Sequence, residues 1–190
     1  MILSKPFIVC YMMNFFSILS GFFAVNNFKK YGQLNGLINE NYLAWLGSIA
    51  SICNSLRFLW SFVTDYLPYR VVYSFLLVLQ IVLNLTVPLV AESAALYGIW
   101  ISLLVFCEGG HFTLVPNVLK KIFGGEKGTA LYGILFSYVS LMSILLVFLQ
   151  SAILTTEASS YYLFFQINAL CSIIALVMNL TMFSETKFSG

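Results

Sequence analysis

Three residues of this chain bring chemistry to places where charge is costly. Arg57 stands in "SICNSLRFLW", and Glu108 and His111 stand in "LLVFCEGGHFTLV". A guanidinium presents a planar fork of N–H donors that meets a carboxylate through two parallel charge-assisted hydrogen bonds. Glu108 and His111 are three positions apart, so on a helix they share a face, and an imidazole there is a candidate proton relay. No nucleophile with a base, no paired carboxylates at catalytic spacing, no P-loop and no dinucleotide fingerprint accompanies them. No catalytic residue is therefore assigned and an enzyme is not expected. Cys10, Cys53, Cys107 and Cys171 lie in separate apolar stretches without CxxC or Cys/His spacing, which predicts buried free thiols, no metal site and no cofactor.

The elements that must hold these groups follow from composition. Of 190 residues, 61% are hydrophobic and 8% charged, with a mean hydropathy of +0.94. A soluble domain carries about a quarter charged residues, so the outside of this chain must face lipid. A net charge of +2 without a basic run argues against nucleic acid. Six apolar runs, at 6–26, 43–64, 71–91, 94–117, 130–153 and 160–183, are long enough to cross a bilayer. Lipid offers the backbone no partner, so each must be a helix. The fold class is all-α, a polytopic membrane protein with a single six-helix domain over residues 1–190. The first run could imitate a signal peptide, but five like it follow, so it is read as a span.

Basic residues set the orientation. Lys5, Arg70, Lys120, Lys121, Lys127 and Lys187 fall on the side of the termini, against Lys29 and Lys30 on the other, which predicts N- and C-termini that are cytoplasmic or on the equivalent face of an organelle. Arg57 then lies seven residues inside the cytoplasmic end of span two, and Glu108 nine residues inside the same end of span four. An intramembrane charge costs about 2.5–3.5 kcal/mol on the gentler insertion scale, so such groups face a partner or a wet cavity. Three readings stand open: Arg57 snorkels to the headgroups, it forms an ion pair with Glu108, or it faces a cavity as an anion ligand with Glu108 as orienter or proton site. His111 is either a proton site or a hydrogen-bonding link to a neighbouring helix. Gly109 and Gly110 allow close helix contact or a bend, and Pro116 should break the ladder of the same helix. Ala44, Ser48, Ser51 and Ser55 form a small-residue packing stripe, continued in span five by Ser137, Ser140 and Ser143. Asn84 and Asn179 match the glycosylation pattern within spans and are chance matches.

The stretch "NSLRFLWSFVTDYLPYR" (54–70) resembles the loop motif between the second and third helices of each half of the major facilitator superfamily. Ser61 stands for its first glycine, Asp65 for the acid, Pro68 for the second glycine, and Arg70 keeps a base. "GFFAVNNFKKYGQ" (21–33), the spacing from Arg57 to Asp65, and "CEGGHFTLVPNVLKKIFGGEKGTALYG" (107–133) are similar to the C-terminal half of oxalate/formate-antiporter-like and nodulin-like members. Gly109, Gly110, Pro116, Phe123, Gly124, Tyr132 and Gly133 occupy the family's places.

The resemblance implies the C-terminal six-helix half of a secondary transporter, whose substrate sits near the midplane between two halves that rock about it. It places spans one, two, four and five against the cavity and spans three and six toward lipid. Arg57, Glu108 and His111 become candidate substrate-binding residues, Asp65 and Arg70 the gating loop, and Gly109, Gly110, Pro116 and Gly133 helix-packing positions. Partners expected are the bilayer, a second six-helix half, a small organic anion and a coupled proton. Oxalate exchangers of this family add a lysine on the helix matching span five, which here has no Lys or Arg. A monocarboxylate or another small solute is therefore expected at least as much as a dicarboxylate. The alternative is a non-transporting accessory or scaffold subunit, favoured by Ser61 and Pro68 in place of glycines. Lys5, at the very start of span one, makes a fragment of a longer protein the expected origin of the chain.

Overall fold

A computed structural model describes residues 4–183; Lys187, counted above toward the cytoplasmic side, lies outside them. The described residues form helices α1 (Lys5–Ser17), α2 (Leu19–Leu34), α3 (Glu40–Ser55), α4 (Phe58–Val63), α5 (Tyr69–Val90), α6 (Ala94–Phe123), α7 (Gly125–Leu135), α8 (Ser137–Ile153) and α9 (Ala158–Thr181), with no strand among them. Joined across short breaks, they make six helices long and apolar enough to cross a membrane: Lys5–Leu34, Glu40–Val63, Tyr69–Val90, Ala94–Phe123, Gly125–Ile153 and Ala158–Thr181. The all-α membrane class follows directly.

All but the last of the helices are longer than the apolar runs. α2 continues through Lys29 and Lys30 to Leu34, because a helix can carry charges once one face leaves the lipid. The remaining turn uses Gly36 at φ 89°, and the Asn39 side chain then accepts from the Tyr42 N–H at 3.1 Å to cap α3. The stretch "KKIFGGEKGT" is likewise helical on both sides of Gly124, whose φ of 85° ends α6. Lys120 and Lys121 sit in the last turn of α6, where the helix dipole favours cations. Pro116 does not break α6 as expected. The helix runs on through it, losing at most one ladder bond, while buried Leu114, Val115, Val118 and Leu119 hold it against its neighbours.

The interruptions fall elsewhere: at Ile18 in span one, at Leu56–Arg57 in span two and at Phe136 in span five. Spans one and four are the most buried, and spans two and five the least. α5 lies along α9, α3 along α6, and α6 also meets α2, α5 and α7. Aromatic rings lock spans one and six: Phe23 stacks on Phe164 with centroids 4.1 Å apart, and Tyr31 meets Phe165 edge-on at 5.2 Å. The Tyr97 hydroxyl ties α6 to α2 by donating to the Phe28 carbonyl at 2.6 Å. Outward faces carry large apolar side chains such as Trp45, Phe75, Leu89 and Phe148, as a lipid-facing or partner-facing surface requires.

Candidate functional site

Span two turns tightly at Arg57. The Arg57 N–H donates to the Asn54 carbonyl (3.0 Å), Leu59 N–H to Leu56 (3.0 Å) and Trp60 N–H to Arg57 (3.1 Å). Each bond reaches three residues back instead of four, the geometry of a 3₁₀ turn, which in membrane helices recurs at hinges and ligand sites. The Arg57 carbonyl also accepts from the Thr113 hydroxyl of α6 at 3.2 Å. The turn is therefore cross-braced.

The Arg57 side chain is exposed and lines a cavity of about 460 Å³, within the usual range for small-molecule sites. Lys29, Ser51, Asn54 and Ser55 supply the other polar lining, with Phe28 and Val105 among the apolar residues. Ala44, Ser48, Ser51 and Ser55 of the small-residue stripe in span two are all exposed within this chain, and Ser51 and Ser55 wall the cavity. Ser137 and Ser140 in span five are exposed in the same way.

Glu108 is buried on α6, against Gly21 of α2. A Cβ on Gly21 would overlap the Glu108 side chain and come 3.0 Å from its carboxyl carbon. Only a glycine leaves room for the acid there. Among the described residues no ion pair joins Glu108 to Arg57, and no hydrogen bond reaches the carboxylate. Their backbones are nonetheless close: a Cβ on Gly109 would lie 2.8 Å from the Arg57 Cβ and 3.0 Å from the Asn54 carbonyl. Gly110 makes the same close approach to Trp60 at 3.0 Å, and the Trp60 indole donates to the Phe106 carbonyl at 3.2 Å. A Cβ on Gly133, by contrast, would meet nothing within 4 Å, so Gly133 makes no close helix contact in this chain.

His111 is wholly inside the bundle, among helices α1, α5 and α6. Its Nε2 lies 3.0 Å from Gln80 Oε1, and its Nδ1 lies 3.4 Å from Ser17 Oγ. The Gln80 amide nitrogen donates to the Ser17 carbonyl (2.7 Å) and Ser172 Oγ (2.8 Å), which leaves Oε1 as acceptor. His111 therefore carries a hydrogen on Nε2 and donates it to Gln80 Oε1. Ser17 Oγ is also 2.8 Å from the Tyr73 hydroxyl, which donates to Asn14 Oδ1 at 3.3 Å. This cluster sits at the Ile18 break and fastens spans one, three, four and six together. Both ring nitrogens are engaged within it, and His111 does not line the Arg57 cavity.

In the loop after span two, Asp65 is exposed, and Arg70 donates to the Leu180 carbonyl of α9. Ser61 accepts from Asn117 Nδ2 at 2.5 Å, and Lys121 Nζ donates to the Thr64 carbonyl at 3.2 Å, so this segment is bound to the end of α6. The two glycosylation matches are explained by packing: Asn84 and Asn179 are buried, donating to Ser20 Oγ (2.6 Å) and the Arg70 carbonyl (3.0 Å). Gln80, Asn14 and Asn168, amides buried within apolar spans, were legible by the same cost argument that singled out Glu108. Lys29, in a polar joint by its sequence context, is carried by α2 to the cavity wall.

No family model matches the chain. Over 130 residues, 67% of its length, the chain is 28% identical to a protein of Toxoplasma gondii described as apicoplast pyruvate carrier 1. The match covers 22% of that relative, so it corresponds to about a fifth of the carrier's length.

Proposed function

We propose that this chain is one six-helix part of a membrane carrier for a small organic anion, with a monocarboxylate such as pyruvate as substrate. The observation that carries this reading is the exposed Arg57 at a helix break, lining a cavity with hydroxyl and amide neighbours and no carboxylate. An arginine held in that setting suits a carboxylate, and the similarity to a pyruvate carrier supports the same class of substrate. The open faces of α3 and α8 then receive a second bundle, in the manner of a major-facilitator half, and the cavity closes between the two. The breaks at Ile18, Leu56–Arg57 and Phe136 supply places where cavity-lining helices bend as access alternates. Both termini lie on the cytoplasmic side in this reading, with Asp65 and Arg70 in the loop that gates that face.

The test is uptake of labelled pyruvate and other small monocarboxylates by the native protein in proteoliposomes, with and without Arg57→Gln. Uptake should fall more than tenfold while the amount of inserted protein stays the same. Undiminished uptake by the variant would remove Arg57 from the site. A native protein that assembles in the membrane but moves no carboxylate would favour the scaffold reading.

A further inference from the structure

We infer that Lys29 is a second anion-binding residue of the same carrier, capturing the carboxylate at the outer end of the cavity before it reaches Arg57. The inference rests on the transport reading above. Two recesses meet in the α2–α3 hairpin. The inner one, of about 460 Å³, runs along α3 from Gly47 to Arg57. The outer one, of about 380 Å³, lies at the hairpin end and is lined by Gln33, Glu40, Asn41, Leu43 and Ala44. Lys29 lines both.

Charge and length then decide its role. The inner recess has two basic side chains on its walls, Lys29 and Arg57, and no acidic one. At about 1.5 Å per residue the backbone from Gly47 to Arg57 covers about 15 Å, longer than a three-carbon acid. Lys29 is shared with the outer recess and Arg57 is not, so an anion entering from the hairpin end passes Lys29 before Arg57. Glu40 is the acid of the outer recess, and among the described residues no ion pair joins it to Lys29. The Lys29 ammonium, on a flexible stem, is a mobile point charge that attracts without fixing an orientation. Arg57, at a braced turn, provides the directional site. The purely basic lining of the inner recess raises the local anion concentration and the capture rate, and that effect weakens as salt rises.

The experiment compares labelled pyruvate uptake by the native protein and by Lys29→Gln, Lys30→Gln and Arg57→Gln in proteoliposomes at low and high salt. Lys30 is exposed beside Lys29 but does not line the recess, so it controls for general surface charge. Lys29→Gln should raise KM about three- to tenfold with Vmax within twofold, and should flatten the salt dependence of KM. Lys30→Gln should leave both unchanged, and Lys29→Arg should restore the native KM. An unchanged KM in Lys29→Gln, or an equal shift in Lys30→Gln, would overturn the role of Lys29 while leaving transport through Arg57 standing. Absence of carboxylate uptake by the native protein would remove both.

Discussion

Gly109 brings the backbone of α6 against Arg57, so closely that a Cβ at position 109 would lie 2.8 Å from the Arg57 Cβ. The contact explains how an arginine inside a span is held at a fixed turn: α6 braces its backbone while its side chain is left to the cavity.

Gly109→Ala should therefore displace the Arg57 turn. Overpacking of this kind costs about 1–3 kcal/mol, and the expected result is a lower unfolding temperature in detergent together with a higher KM for pyruvate. Gly133→Ala, where a Cβ meets nothing within 4 Å, should change neither. Equal effects at the two glycines would contradict the assignment of Gly109 as the brace.

Gly21 and Glu108 form a second pair that can be separated by a mutant cycle. Gly21→Ala should destabilise by about 1–3 kcal/mol, because its methyl overlaps the Glu108 side chain. Glu108→Ala in the same chain should recover most of that loss, giving a coupling larger than about 0.5 kcal/mol. Additive losses in thermal unfolding would show that the two side chains do not compete for space.

His111 is expected to act as a fastener. His111→Phe leaves Gln80 Oε1 without its donor, and an unsatisfied buried group costs about 1–3 kcal/mol. Thermal stability should drop, while the shape of the uptake–pH profile stays that of the native protein. A profile that loses a limb in His111→Phe would restore the proton-relay reading of this residue.

How far these relationships were legible in the sequence depends on what each one costs. Arg57 and Glu108 were visible because an intramembrane charge needs a reason, whatever its neighbours. The six spans were visible because backbone in lipid has one solution. The breaks at Ile18 and Phe136 were not, since no proline stands at either and hydropathy does not register a local change in the hydrogen-bond ladder. Pro116 misled in the other direction, its helix being held on course by buried neighbours. The partners of His111 come from α1 and α5, 94 and 31 residues away, and no local spacing encodes that meeting. Lys29 was hidden by its sequence context: in "NNFKKYGQ" it reads as a loop residue, whereas α2 carries it past the first turn of α3 to the cavity wall.

The central claim is that a carboxylate occupies the recess beside Arg57, and substrate protection tests it most directly. Ser51 lines that recess and is exposed. Ser51→Cys in the native protein should react with a negatively charged, water-soluble thiol reagent faster than the parent, whose Cys53 and Cys171 are half-buried. Saturating pyruvate should slow that reaction several-fold, and Arg57→Gln should abolish the protection. Labelling of Ser51→Cys at the same rate with and without pyruvate would contradict the account.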